Sequence, residues 1–443
     1  MATTGTAAAP DTEWSEFKLD PESEFRVEVD LSSTAAFEVV RGSAEVFGSE
    51  VATRAEVQLR AGSKAAVFSW TGAVVRVKGS RAAEYCAGDT PMPSYLNVHV
   101  ALENVRRDAA AFSTSSNPLS GPSVMIVGPS DVGKSSIAKI LANYAIKHHH
   151  PITFASLDCA DPPLALPGSL TATIISRPID IEEGLSGTPS STGIQPLVYY
   201  YGYIDPNEKL KLYQKQVSLL AATVQSKLAS DPALRTAGVL IDTPSQFTEN
   251  PALLSHAIEV WKPSVILVVG HERVYSDLAR QFQGSRDVSV LKLAKSGGVR
   301  IYEYKERVRV TVTIESSDGT DAAKTDMTYT RSCISRQGVP TRTSISQNPR
   351  IFYGTTKFPL SPFSNIVSFN ELAVRRVGDA TTILASALPI GQDRKTQETK
   401  IVKVEVGDIL LNSVLAVSHA DRLDAIAPAS VSAQLSQQIK KRL

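Results

Sequence analysis

The chain opens on short runs in which apolar and polar positions alternate. FRVEVD, AAFEVV, AEVFG, VQLRAGSKAAVFSW and AVVRVKG keep a period of two, with Gly or Ser between them, and that period predicts a small all-β unit over about residues 22–88. From Tyr95 the stretch YLNVHVALENVRRDAAAF switches to helical spacing, and TSSNPLSGPS after it reads as a linker. The pattern changes again at Val124. VMIV is a short, fully apolar strand, followed by a glycine-containing turn and by KSSIAKILANYAIK, where Ile137, Ile140, Leu141, Tyr144 and Ala145 form one apolar stripe. Strand and helix candidates then alternate: ITFASLD, a helix from about Asn207 to Ser230, GVLIDTP, ALLSHAIEVW, SVILVVG, VYSDLARQF and VSVLKLA. Continuous apolar strands between amphipathic helices predict a parallel sheet covered on both faces. From Phe352 the β pattern returns in NIVSF, LAVRRVG, TTILASALPI and VKVEVGDILLNSVLAVSHA.

These patterns divide the chain into a polar, disordered lead (1–20), a β domain with its connecting helix (21–118) and an α/β domain (119–310). A Ser/Thr-rich insertion or loop without sustained periodicity follows (311–345), and then a C-terminal β-rich domain (346–443). The expected class is α/β, a central parallel-sheet domain flanked by two β-rich ones. A length of 443 residues has room for all of them. Lys and Arg number 46 against 45 Asp and Glu, a net charge of +1, so no global field draws in nucleic acid or an anionic membrane, and such a partner must meet a local patch. Cys86, Cys159 and Cys333 are few, scattered and odd in number, which argues against a disulfide framework or a cysteine zinc site. No basic and apolar leader opens the chain, and no apolar run reaches a membrane-spanning length. A soluble protein of the cytosol or nucleus, without a membrane partner, is expected.

The sharpest feature is GPSDVGKSS, Gly128 to Ser136, which satisfies G-x-x-x-x-G-K-[ST] between a predicted strand and a predicted helix. Glycines let such a backbone curl until successive N–H groups face a phosphate chain, and the helix N-terminus adds partial positive charge. Gly128, Asp131, Val132, Gly133, Lys134, Ser135 and Ser136 are therefore the candidate nucleotide site. Lys134 would reach the β- and γ-phosphates of ATP, and Ser135 would offer its hydroxyl to Mg²⁺. A P-loop also wants a carboxylate at the end of a neighbouring strand, to hold the metal or its water or to take a proton. Asp158 after ITFAS and Asp242 at the end of GVLID stand in that place, each against the blander reading of a turn-capping Asp. His148, His149 and His150 read as solvated histidines at a helix C-terminus. No N-K-x-D motif occurs, which disfavours a GTPase. Arg300, Lys305, Arg307 and Arg309, interleaved with Tyr302 and Tyr304, are either a phosphate or RNA surface or a solvated charged face.

A wider set of segments carries a resemblance. GPSDVGKSS, LDCADPPLALPGSL, RPIDIEEGL, PLVYYYG, KLYQKQVSLLA, IDTPS, HERVYSDL and KSGGV stand in the order found in the polynucleotide 5′-hydroxyl kinase family. They are most similar to its Clp-type branch, the ATP-binding subunits of the pre-mRNA cleavage and polyadenylation machinery. ESEFRVEVD, AEVFGSE, AGSKAAVFSW and DTPMPSYLN resemble the branch's N-terminal β domain, and LSPFSN, LPIG and LLNSVLAVSHA its C-terminal one. The resemblance implies a nuclear, three-domain protein with ATP and Mg²⁺ in the central domain. It implies that Glu24 and Lys64 contact the nucleotide from the N-terminal domain, that Asp158 helps activate an RNA 5′-hydroxyl in active members, and that arginines after SGGV, Arg307 among them, neutralise the transferring phosphoryl group. The implied partners are the cleavage-factor scaffold subunit that binds the RNA polymerase tail, the rest of a multi-subunit cleavage complex, and RNA.

The chain departs from the active kinases in three places. Where they carry N-T-x-G-W, whose Trp stacks on the terminal RNA base, this sequence has Asp242-Thr243-Pro244-Ser245-Gln246. Tyr302 occupies an early arginine position of the arginine segment, which then runs into the Ser/Thr-rich insertion. The C-terminal domain, closing on SAQLSQQIKKRL, is read as incomplete. One transition-state cation is worth about 10³ to 10⁵ in rate in such transfers, and one base stack about 1–3 kcal/mol. The expected protein resembles the fungal type, holding ATP as a structural ligand with little or no kinase activity. The alternatives are an active RNA 5′-hydroxyl kinase in RNA processing or tRNA splicing, and a P-loop ATPase unrelated to RNA.

Overall fold

The structure is a computed structural model and describes residues 13–299, apart from 31–32, 113–117, 166, 183 and 186–195, together with 375–377 and 401–403. Expectations for the arginine segment with Arg307 and for the Ser/Thr-rich insertion lie outside the described residues. Of the C-terminal β-rich domain only Arg375–Val377 and Ile401–Lys403 are described, as one antiparallel pair.

Alternation folds the N-terminal part into nine strands: β1 (Ser15–Leu19), β2 (Ser23–Val29), β3 (Ala35–Gly42), β4 (Ala44–Val46), β5 (Ser49–Val51), β6 (Val57–Leu59), β7 (Lys64–Ser69), β8 (Ala73–Gly79) and β9 (Arg81–Ala87). They make two antiparallel sheets, ordered β1-β8-β3-β6 and β5-β4-β7-β2-β9. Phe25, Val27, Phe37, Val39, Val67, Val75 and Val77 fill the space between them and are almost wholly buried. The disordered lead expected over 1–20 does not run that far. Ser15–Leu19 pairs along β8, because Leu19 is buried and the Phe17 ring packs on Phe25 at 4.6 Å. Two apolar positions in five residues are a short signal, but enough to extend a sheet that already exists.

The helix α1 (Met92–Ala111) leads to the second body, which contains β10 (Ser123–Val127), α2 (Lys134–Lys147), β11 (Ile152–Ser156), β12 (Ser169–Ile175), β13 (Leu197–Tyr200), α3 (Leu210–Ser230), α4 (Pro232–Ala237), β14 (Val239–Asp242), α5 (Pro251–Trp261), β15 (Val265–Val269), α6 (Glu272–Gln281) and β16 (Ser289–Leu293). Its sheet has the order β13-β12-β11-β14-β10-β15-β16. The five strands from β11 to β16 in that order are parallel, as the apolar runs require. The two outer strands β12 and β13 run antiparallel and make the sheet mixed. Successive side chains of β10 serve opposite faces: Met125 and Val127 pack with α3, α5 and α6, whereas Val124 and Ile126 pack with α1 and α2.

The two bodies are bonded together. The β4–β5 turn lies on α2, where Glu45 accepts from the Tyr144 hydroxyl and, at 2.9 Å, from Lys147. Asn143 Nδ2 donates to the Phe47 carbonyl at 2.8 Å, while its Oδ1 accepts from Ile179 N at 2.9 Å. Further along, α1 is fixed by a fully buried Arg106, whose Nε donates to the Ala237 carbonyl at 2.9 Å and whose Nη1 lies 3.2 Å from Glu103. Glu103 also holds His150 at 2.7 Å, and the His148 ring lies 5.2 Å from that of buried His99. His148 and His149 are exposed as expected of a helix end, but His150 is only partly so.

Candidate functional site

At the carboxyl end of β10 the chain turns sharply into α2. Gly128 has no room for a side chain, since a Cβ there would stand 2.5 Å from the Val269 carbonyl oxygen. Gly133, the residue before α2, takes φ +87°, which glycine adopts without strain, and Asp131 takes φ +56°. No side chain caps α2, so its first N–H groups and the positive end of its dipole face the mouth of the loop. Val132 is buried and wedges the loop against the sheet, where a Cβ on Gly270 would meet it at 3.0 Å. Lys134 is buried with its ammonium 2.7 Å from the Pro129 carbonyl, folded back over the curl. Ser136 follows on the first turn of α2 and is partly exposed.

Ser135 donates to Asp242 Oδ2 at 2.6 Å. Asp242 ends β14 and is 3% exposed, and among the described residues its Oδ1 has no hydrogen-bond partner. Burial raises its pKa to about 6, against the lowering effects of the Ser135 hydroxyl and of Lys134 and Lys139. The next residue, Thr243, donates to the Ile126 carbonyl at 2.7 Å and ties the ends of β14 and β10 together. A hydroxyl and a carboxylate with an unspent oxygen form the hard oxygen-donor pair that Mg²⁺ takes. The backbone cradle and Lys134 suit a polyphosphate. The residues present fit ATP with Mg²⁺: Lys134 and the loop N–H groups would hold the phosphates, and Ser135 and Asp242 the metal.

Asp158 lies two residues beyond the end of β11, on the strand neighbouring β14, where Ser156 is level with Asp242. Its Oδ1 accepts from Ala160 N at 2.9 Å, a turn within its own loop. It is partly exposed and close enough to Asp242 for its charge to raise the Asp242 carboxyl further. The nearby Asp161 carboxyl is raised by burial and by Asp158, and the Lys139 ammonium is lowered by burial. Lys139 had no signal of its own in the sequence, being one more polar position on an amphipathic helix.

The N-terminal pair is not brought together. Glu24 and Lys64 sit on adjacent strands, but Lys64 is level with Glu28, 3.2 Å from its carboxylate, while Glu24 is level with Phe68. Glu24 is buried, pairs with Arg26 and accepts from Thr90 Oγ1 at 3.1 Å. An ionised carboxylate has about four acceptor positions, so two bonds leave capacity for a further donor. Past β14, where a stacking ring was not expected, Ser245–Phe247 forms a single 3₁₀ turn. Gln246 is partly exposed, and the ring of Phe247 is buried against Tyr213.

Residues 128–313 match the family described as mRNA cleavage and polyadenylation factor CLP1 P-loop. Residues 18–109 match the N-terminal beta-sandwich domain of polyadenylation factor, and residues 360–436 match Pre-mRNA cleavage complex II protein Clp1. A protein CLP1 homolog of Arabidopsis thaliana is 36% identical over 94% of this chain and 85% of its own length. The chain belongs to the Clp1 family. The mRNA cleavage and polyadenylation factor clp1 of Botryotinia fuckeliana is 33% identical over 94% of this chain and 84% of its own. The polyribonucleotide 5′-hydroxyl-kinase Clp1 of Homo sapiens is also 33% identical, over 91% and 84%. Among solved structures, the wild-type Clp1p–Pcf11p complex superposes with a TM-score of 0.65 at 25% identity, covering 84% of this chain and 80% of that one. The P-loop α/β domain with an N-terminal β-sandwich is thus a Clp1 architecture.

Proposed function

We propose that this chain is the ATP-binding subunit of a nuclear pre-mRNA cleavage and polyadenylation complex, and that it holds ATP with Mg²⁺ as a structural ligand. The observation that carries the reading is the formed phosphate cradle at Gly128–Ser136, with Ser135 on Asp242, in a chain of the Clp1 family. Its partner on this reading is a scaffold subunit that also binds the RNA polymerase tail, supported by the presence of a Pcf11p segment with Clp1p in the solved complex. A ligand bound only by the folded state adds RT ln(1 + [L]/Kd), about 4 kcal/mol at a thousandfold excess over Kd. That is enough to hold the sandwich and the P-loop domain as one surface for the partner.

A second reading, an active RNA 5′-hydroxyl kinase, is favoured by the name of the human relative, a polyribonucleotide 5′-hydroxyl-kinase. It is opposed by Gln246 at the stacking position and by the burial of the neighbouring ring, Phe247. The wild type is expected to co-purify with ATP, and Lys134→Ala to abolish that retention and to weaken capture of the scaffold subunit. Stoichiometric ATP in the folded variant would overturn the site. Equal capture by a nucleotide-free variant would overturn the structural role.

A further inference from the structure

The sandwich reaches the phosphate loop by a second route. Arg26, on β2, is 6% exposed and lies where three segments meet. It pairs with Glu24 on its own strand, and its Nη2 donates to the Asp89 carbonyl at 2.8 Å and lies 3.6 Å from the Asp89 carboxylate. The guanidinium stands 5.6 Å from the Tyr85 ring centroid. Its remaining face lies against the loop after β16. A Cβ on Gly297 would come within 3.2 Å of Arg26 Nη1, and one on Gly298 within 2.8 Å of Cδ and Nε. Two glycines in a row let this backbone rest on the flat side of the arginine. The same loop is tied upstream, where the Tyr95 hydroxyl donates to the Ala294 carbonyl at 2.9 Å. Downstream, Val299 Cγ2 lies 3.5 Å from where a Cβ of Gly133 would stand. Arg26, Gly297–Gly298 and Val299 therefore form a chain of close approaches from the sandwich that ends beside Gly133 of the phosphate cradle.

We propose that Arg26 is a positioning residue that fastens the loop Ser296–Val299 onto Gly133 and thereby sets how long the nucleotide stays bound. The proposal rests on the nucleotide-binding reading of the P-loop and adds its regulation by the N-terminal domain. Arg26 acts through the loop that backs the cradle, and the ion pair with Glu24 and the Asp89 carbonyl keep its side chain from yielding. An arginine suits the place because its planar fork meets Glu24, Asp89 and the loop backbone at once, which a lysine's point charge does not.

The test loads the full chain with mant-ATP, chases it with excess ATP and follows release by stopped flow. The proteins are the wild type, Arg26→Lys, Gly298→Ala and Lys134→Ala. Gly298→Ala keeps the arginine but crowds its Cδ and Nε, forcing loop and guanidinium apart, so it serves if the arginine variant folds poorly. Release from Arg26→Lys and Gly298→Ala is expected to be about tenfold faster or more, with association rates close to wild type, since loosened contacts act mainly on dissociation. The melting midpoints of the nucleotide-free variants should stay near that of the wild type, which a purely structural role would not predict. If the wild type binds mant-ATP, Lys134→Ala does not, and both loop variants release at the wild-type rate, the fastening role is overturned and the P-loop reading stands. If the wild type binds no mant-ATP, both fall.

Discussion

His99 supplies a test of the joint between α1 and the P-loop domain that needs no ligand. It is 4% exposed, and Nδ1 has no hydrogen-bond partner among the described residues. On α1 it faces Arg106 and Glu103, on α2 the Tyr144 ring at 5.3 Å, and beyond α2 His148 and His150. Burial first, then the Arg106 charge, depress its pKa from 6.5 to about 4. In that window the unfolded chain binds the proton and the folded one does not. The contribution is therefore complete above pH 6.5 and is lost as the pH falls through 6.5 toward 4. Between pH 7.5 and 5.0 the loss integrates to about 2 kcal/mol. His99→Phe keeps a ring against Tyr144 and His148 and removes the titration. The substitution removes both ring nitrogens, and because Nδ1 is buried without a partner among the described residues its loss should cost little at neutral pH. Urea unfolding followed by tryptophan fluorescence at pH 7.5, 6.0 and 5.0 reads the difference. The wild type should lose about 2 kcal/mol more than His99→Phe across the range. Parallel losses in the two proteins would show that His99 is not held neutral in the fold, and the reasoning from its burial would fail.

Gly128→Ala should destabilise the protein by about 1–3 kcal/mol and abolish ATP retention, because the added Cβ meets backbone at Val269 rather than a side chain that can move; thermal melting with a nucleotide assay checks both. Glu45→Ala strips Tyr144 and Lys147 of their buried acceptor and should cost about 1–3 kcal/mol in urea unfolding at neutral pH, whereas an unchanged midpoint would mean that the sandwich turn contributes nothing to the junction. With γ-labelled ATP and a 5′-hydroxyl RNA, label transfer should be absent or far below the usual enzyme range of about 1–10³ per second. Turnover within that range would make this chain a kinase and remove the structural-ligand reading.

The sequence showed most clearly those features whose cause is local. The curl at Gly128–Gly133 between an apolar strand and an amphipathic helix needs only neighbouring residues, and Asp242 was placed by the general need for a carboxylate at an adjacent strand end. What stayed hidden depends on distant partners. β12 reads as SLTATII, where Thr171 and Thr173 are buried although polar, so no clean period marked it as a strand, and its antiparallel direction follows from a connection no local rule fixes. Arg26 stood in an alternating strand like any solvent-facing charge. Only the approach of Asp89 and of Gly297–Gly298, far along the chain, turns it inward. Asp158 shows the limit from the other side: a motif position was visible, but whether its carboxylate serves a turn or a reactant is decided by how the loop to Ala160 folds.

The helix behind the phosphate cradle has one more consequence, for how such a chain diverges. Of the fourteen residues of α2, ten are buried: Lys134, Ile137, Ala138 and Ile140 through Ile146. The sheet lies beneath it, α1 runs beside it, and the β4–β5 turn lies against Asn143, Tyr144 and Lys147. Nearly every position is constrained on some side by neighbours that have nothing to do with phosphate. A lineage that stopped transferring phosphoryl groups would still be held to much the same helix by packing alone, while a position such as Gln246, constrained by no core, would be free to drift. The durable part of the motif then records the architecture, and the history of catalysis is written in the residues around it.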